Sequence, residues 1–371
     1  MVSLRQVLVN FGQIFQGQLF PRLAAELGPL GDQHQKLVRA VALLQLDVFI
    51  LIRHGRGRPG HDRGAIARAL VAKAIFNLPT TRALLSRLGS DLALRRLCGW
   101  ESVAEMPDET VFSRAFAEFA DREFPQRVHA ALVANTQGER LIGHISRDAT
   151  AIEGREKPQP KPTTPPPPPA PAPAARRKPG EAKRPEQLSR LERQAAGTMT
   201  LEEVIGELPR ACDVGCKTNS HRHKYFWVGY KLHLDVADGQ IPISCLLTSA
   251  SLHDSQVALP LAQMTAQRVT NCYDLMDAAY DNQQTREYSQ ALGHVPIIER
   301  QKRGAQTPTM DPHQAVRFRE RTTVERVIAR LKEEFGGQFV RVRGCAKVMA
   351  HLMFGILALT VDQIWRLASS P

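Results

Sequence analysis

Three carboxylates, far apart along the chain, stand in settings that suit metal-assisted phosphoryl chemistry. Asp148 sits near the end of RLIGHISRDATAI, and Asp277 follows the short apolar run CYDLM. Glu325 lies inside RFRERTTVERVIARLK, where six of sixteen residues are Arg or Lys. Apolar residues precede both aspartates and small ones follow them (Ala149; Ala278 and Ala279), leaving room for a ligand. Ligand sites in open α/β sheets gather at strand ends. Taken singly, each aspartate reads equally as a turn former or a helix cap. Glu325 adds a spacing argument. On one helix Phe318, Arg321, Glu325 and Lys332 would share a stripe, beside an apolar stripe of Val324, Val327, Leu331 and Phe335. Two aspartates and a glutamate are the hard oxygen ligands that Mg²⁺ prefers. A pair of such ions can activate a water or a 3′-hydroxyl and stabilise the leaving oxygen of a phosphodiester. Flanking cations, Arg326 among them, would position the phosphates and soften their repulsion from the carboxylates.

The bulk properties fit that chemistry. The formal net charge is +12 and the pI about 9.7, so the surface attracts polyanions. Nucleic acid leads and an anionic membrane surface follows. Six cysteines, sparse and irregular over 371 residues, do not form a secreted disulfide framework. MVSLRQVLVNFGQIF lacks the clean apolar core of a signal peptide. The longest apolar run, LMFGILALTV, lies between His351 and Asp362 and is too short to span a bilayer. The expectation is a soluble cytoplasmic protein with no membrane partner.

The elements that must position the carboxylates can be read next. Residues 1–135 carry helical periodicity in VRAVALLQLDVFILI, GAIARALVAKAIFNL and PTTRALLSRL, and Asp108 is a capping residue before TVFSRAFAEF. This predicts a helical N-terminal domain, whose short helices and tight turns suit a DNA-reading helix-turn-helix and a plain small bundle equally. Residues 136–154 hold the first strand of a catalytic core. Residues 155–210 are a basic, proline-rich insertion. Twelve of the 25 prolines fall between Pro158 and Pro185, and ten Lys/Arg stand against four Asp/Glu from Arg155 to Arg193. Such a stretch packs no core and serves as a spacer or a salt-sensitive grip on phosphates. Residues 211–371 supply the rest of the core. YFWVGYKLHLDVA and QIPISCLLTSA flank a DGQ turn, and a helix, strand, helix, strand, helix, helix order follows. The predicted fold is α/β, a mixed sheet flanked by helices and preceded by an all-α region.

These residues also resemble a family. FRERTTVERVIARLK fits the Y-x2-R-x3-E-x6-K pattern of bacterial insertion-sequence DDE transposases, families four and five of that classification, at Phe318, Arg321, Glu325 and Lys332. SRDATAIEG is similar to their first-aspartate strand and LMDAAYDN to their A-D-x-G-Y-D segment. SLHDSQ resembles the loop before the second acidic strand, and VGYKLHLDVADG the second strand. The resemblance runs over about residues 55–365 outside the proline tract. It implies an RNase H-like core, with Asp148, Asp277 and Glu325 as catalytic ligands of Mg²⁺ (Mn²⁺ as a substitute). It further implies double-stranded DNA at element ends and target as partner, with Arg321, Lys332, Phe318 and Arg326 contacting DNA, and a homo-oligomer on DNA. The departures are Phe318 for tyrosine, which removes a hydroxyl, Ala279 for glycine, and the proline tract after the first aspartate. They keep two rivals open: a catalytically inactive or domesticated DNA-binding derivative, and an RNase H-like nuclease without strand transfer.

Other polar residues invite chemistry less strongly. Cys212, Cys216, His221 and His223 are zinc-type ligands at a spacing wrong for common structural sites, so the default is a polar, basic loop. His233 and Asp235 are expected on the less buried face of their strand. His253 and Asp254 read as helix caps or supports of the site, and Trp227 and Trp365 as packing.

Overall fold

Leu141–Glu153 (β1) is the strand around which the sheet assembles. The computed structural model describes residues 30–50, 60–158, 188–218, 223–300 and 309–369. The start of the chain, the bulk of the proline tract and His221 lie outside the described residues.

Among the described residues, six α-helices precede β1: Asp32–Leu44 (α1), Arg63–Ile75 (α2), Thr81–Ser90 (α3), Leu92–Cys98 (α4), Glu109–Asp121 (α5) and Phe124–Gln137 (α6). Their starts follow the chemistry of the sequence. Asp62, Thr80, Asp91 and Asp108 each cap a helix by accepting a backbone N–H, and Asp108 accepts from both Thr110 and Val111. These helices do not bury a core of their own. They pack on Cys345–Ser369 (α13), whose Phe354 ring lies 6.3–6.4 Å from those of Phe116, Phe119 and Phe124. One apolar cluster runs from Leu37 in α1 to Ile364 in α13. The 25-residue α13 is long and apolar enough to cross a membrane, yet most of it is buried among these helices. The apolar run that looked short is the middle of this core helix.

The sheet continues with Asp213–Thr218 (β2), Lys224–Ala237 (β3), Ile241–Ser249 (β4), Thr270–Met276 (β5) and Val295–Ile298 (β6). Between β1 and β2 lie the short helices Arg190–Ala195 (α7) and Leu201–Gly206 (α8), both with capping boxes. Ala258–Ala266 (α9) joins β4 to β5, and Gln283–Ala291 (α10) joins β5 to β6. β1 pairs antiparallel with β3 and parallel with β5; β3 also pairs with β4 and β2, and β5 with β6. The result is a mixed sheet with helices on its faces, as an RNase H-like core requires. β2 is an addition to the sequence reading, which took the stretch from Cys212 to the strand at Tyr225 for a loop. Its partner β3 turns from β2 to β1 at Gly229. Gly229 has a positive φ, and a Cβ there would collide with the Ile152 carbonyl.

A second correction concerns the segment around Glu325. One continuous helix was expected; the chain forms Pro312–Phe318 (α11), a 3₁₀ turn at Arg319–Arg321, and Thr322–Glu334 (α12). The turn packs on β1, where the Ser146 hydroxyl donates to the Glu320 carbonyl at 3.1 Å. With three residues per turn, residues i and i+3 eclipse, so Phe318 lies directly beneath Arg321. The Arg321 guanidinium is 5.7 Å from the Phe318 ring centre. The apolar seat of α12 is as expected, with Val324, Val327, Leu331 and Phe335 all buried.

A third correction reverses the reading of β3. His233 and Asp235 are fully buried. Asp235 takes a two-point contact from Arg147 of β1, Nε to Oδ1 and Nη2 to Oδ2, both 2.7 Å. The Thr265 hydroxyl of α9 donates to the same carboxylate at 2.7 Å, and Arg147 Nη1 lies 3.3 Å from the Met276 sulfur of β5. Alternation misled here because α9 covers that face, so polar residues on it had to find partners rather than water. Burial alone would lower the Arg147 pKa; the Asp235 carboxylate more than offsets this and holds it above its ordinary value. Cutting such a pair strands a buried charge at a cost of about 3–5 kcal/mol, whereas removing both charges costs far less. Arg147→Met should therefore lower unfolding stability by about that amount, and Arg147→Met with Asp235→Leu should recover most of it, as read by urea denaturation.

Candidate active site

Strand register brings the first two carboxylates together. β1 and β5 run parallel with Arg147 beside Met276. One residue further along each chain puts Asp148 next to Asp277. Neighbours in register project on the same face of a sheet. For Asp148 that is the face of Ser146, against which the 3₁₀ turn and α12 pack. Glu325 enters from the first turn of α12. Arg321 connects the trio: its Nη2 is 2.6 Å from Glu325 Oε1 and its Nη1 is 3.9 Å from Asp148 Oδ2. The Arg321 guanidinium thus stands between Asp148 and Glu325, and Asp277 follows the strand residue paired with Arg147.

The electrostatics match a cluster of like charges. Burial pushes the Asp148 carboxyl up to about 6; the Ala149 N–H, Lys217 and Arg321 favour its anion, and Asp277 opposes it. Burial likewise raises Asp277, against its own cap to the Ala279 N–H at 3.0 Å and the pull of Arg321 and Lys217, with Asp254 adding repulsion. Beneath them Tyr280 is buried, and its hydroxyl has no hydrogen-bond partner among the described residues.

The cationic residues are disposed differently. Lys332 reaches back to β1 and donates to the Ala151 carbonyl at 3.1 Å. Burial lowers its pKa, helped by Lys217 and opposed by Glu153. Arg326 is exposed on α12. Phe318 is half-buried under Arg321, and Arg317 covers the Tyr273 ring at 4.3 Å. Two residues escaped the sequence reading. Lys217 on β2 faces both aspartates electrostatically. Its signal was the period-2 pattern of DVGCKT, hidden by a polar loop. Lys231 on β3 pairs with Asp254 at 2.9 Å, so Asp254 is an ion-pair partner beside the site. His253, as expected, is the cap, its Nδ1 accepting from the Ser255 N–H.

The donor set fits a divalent cation: three hard carboxylates from three elements, two of them with pKa values raised by burial. Among the described residues no three His, Cys, Asp or Glu side chains are already closed around a point. Arg321 holds Glu325 within the cluster by charge. As for the candidate zinc ligands, Cys212 is buried, with its thiol toward the Glu156 carbonyl, and Cys216 is exposed on β2. Trp227 and Trp365 pack as expected, Trp227 donating to the Tyr230 carbonyl and Trp365 lying under Arg39.

Comparison with known protein families gives two matches. Residues 210–361 match the family described as "Transposase DDE domain", a stretch that includes Asp277, Arg321, Glu325 and Lys332. Residues 29–118 match "Transposase domain (DUF772)", spanning α1 to most of α5. Comparison with curated proteins and with solved structures gave no match.

The Asp148 shift has a sign that can be checked. A carboxyl raised to about 6 favours the folded state below its unfolded pKa near 4, and this contribution is lost as pH rises through about 6. Without added metal, Asp148→Asn should therefore be more stable than the parent at pH 8, by about 1–3 kcal/mol, with the gap closing toward pH 4. Thermal melts across that pH range in a chelator measure it.

Proposed function

From the premise that the chain belongs to the DDE transposases of insertion sequences and is a DNA transposase, we propose that Asp148, Asp277 and Glu325 are its catalytic triad. The reaction is cleavage of phosphodiesters at element ends, followed by transfer of the freed 3′-hydroxyl to target DNA. The observation that carries the reading is the parallel register that sets Asp148 beside Asp277 with Glu325 tied in by Arg321. The family normally works with a divalent metal, and here the trio would hold Mg²⁺, with Mn²⁺ as substitute. When bound, the metal lowers the pKa of a water or hydroxyl and balances charge on the phosphate.

The chain's own residues do the rest. Asp148 sits on a central strand and Asp277 directly follows the next one, so their carboxylates are placed before substrate arrives. Glu325 is half exposed and rides on a helix end, able to shift as Arg321 changes partner. Arg321, Lys332 and Arg326, with Phe318 fixed beneath Arg321, line the rim where a phosphodiester backbone would lie. Arg321 is suited to two-point contact with phosphate once it leaves Glu325. The helical residues before β1 and the basic stretch over residues 155–210 would grip element ends and flanking DNA. The work is done in the cytoplasm on nucleoid DNA by a homo-oligomer that brings two ends together.

Asp277→Asn and Glu325→Gln should each lower Mg²⁺-dependent cleavage of end-containing DNA at least about a thousandfold, roughly 4 kcal/mol in the barrier. Binding of the same DNA should persist. Cleavage by either variant at the parental rate would remove the assignment. Cleavage by the parent without joining to a second duplex would instead favour a nuclease.

A further inference from the structure

Away from the carboxylates, a cavity of about 340 Å³ opens between the helices before β1 and the C-terminal part of the chain. Its floor is apolar, with Phe116 of α5 and Phe354 of α13. Its ionisable groups are all basic: Lys73, Arg343, Lys347 and His351. No carboxylate lines it. Lys73 is the unusual member. It stands in the last turn of α2, a helix with ten of thirteen residues buried, so it has no open solvated face to occupy. Its ammonium has no ion-pair partner among the described residues. Burial pushes it down to about 8. A partly buried cation without a counter-ion is costly, and its neighbours add to the cost. Lys347 and His351 lie one turn apart on α13, and Arg343 stands just before that helix; Arg343 and Lys347 are exposed at the mouth. His351 stays neutral, held down to about 4 by burial and by Lys73, while its Nε2–H donates to the Gly336 carbonyl.

We infer that this seam pocket is a phosphate-binding site, and that it takes a backbone phosphodiester of the DNA on which the enzyme acts. The inference rests on the transposase reading for the source of the phosphate. Lys73 supplies the deep charge and Arg343 and Lys347 the outer ones, and the aromatic floor receives the carbon face of a deoxyribose. Because Lys73 lies in the first matched region and the other cations in the second, a bound strand would tie the two together.

The test is DNA binding by the full chain over a series of salt concentrations, read by fluorescence anisotropy. It compares an end-containing duplex with an unrelated duplex of equal length. Lys73→Met should weaken both to a similar extent, about threefold to tenfold, and lower the slope of log affinity against log salt by about one. Its Mn²⁺ affinity should match the parent, because the carboxylates are elsewhere. Unchanged affinity and slope in a folded K73M chain would overturn the inference and leave Lys73 as a lysine extended toward solvent. If inorganic phosphate or a mononucleotide raises the melting temperature of the parent and not of K73M, while DNA binding is equal in both, the site is for a free anion and the DNA assignment fails. Should K73M not fold, Lys347→Gln carries the same expectation. Failure of the carboxylate reading would appear separately, as undiminished cleavage by Asp277→Asn.

Discussion

The buried contact between Arg147 and Asp235 is the constraint on which the catalytic sheet depends. A strand can slip against its neighbours by one residue at the cost of turning every side chain to the opposite face. Here such a slip would bury a guanidinium and a carboxylate apart from each other, and would turn Asp148 away from α12. Arg147 touches β3 through Asp235 and β5 through the Met276 sulfur, so one side chain fixes β1 on both edges. The residue beside it in sequence is the first acidic residue of the site. Structural and chemical roles are thus divided between adjacent positions on opposite faces of one strand.

The same division recurs on the other elements. α12 seats itself with Val324, Val327 and Leu331 and presents Glu325 from the neighbouring stripe. β5 ends in two buried residues, Leu275 and Met276, and the next residue is Asp277. In each case the apolar residues set a position and the acidic one uses it. Burial raises the pKa values of Asp148 and Asp277, and the nearby Arg321 and Lys217 pull the other way.

Much of this was legible in the residues alone. The mixed sheet, its hairpin at DGQ, the caps at Asp108 and His253 and the helix stop near Gly293 follow from local rules that the tertiary structure does not override. The grouping of Asp148, Asp277 and Glu325 is an expectation from type and setting; the register of β1 and β5 bears on the first two only. What was not legible depends on neighbours remote in sequence. Nothing local says that α9 covers His233 and Asp235, or that a 3₁₀ turn docked on Ser146 interrupts the helix before Glu325. β2 was lost because its alternating pattern is short and runs into a polar stretch. Lys73 gave no signal either, since a lysine in an apolar helix looks like ordinary solvation until the opposing surface is seen.

The central place of β1 has a bearing on biosynthesis. This strand is made first among the six but has partners on both sides that emerge later: Asp235 lies 88 residues downstream of Arg147, and Met276 lies 129. Contacts of such long range form slowly, and on the ribosome they must wait for translation. An incomplete nascent chain therefore holds Asp148 on a strand with neither of its flanking strands, and the sheet closes around it only after β5 has been made.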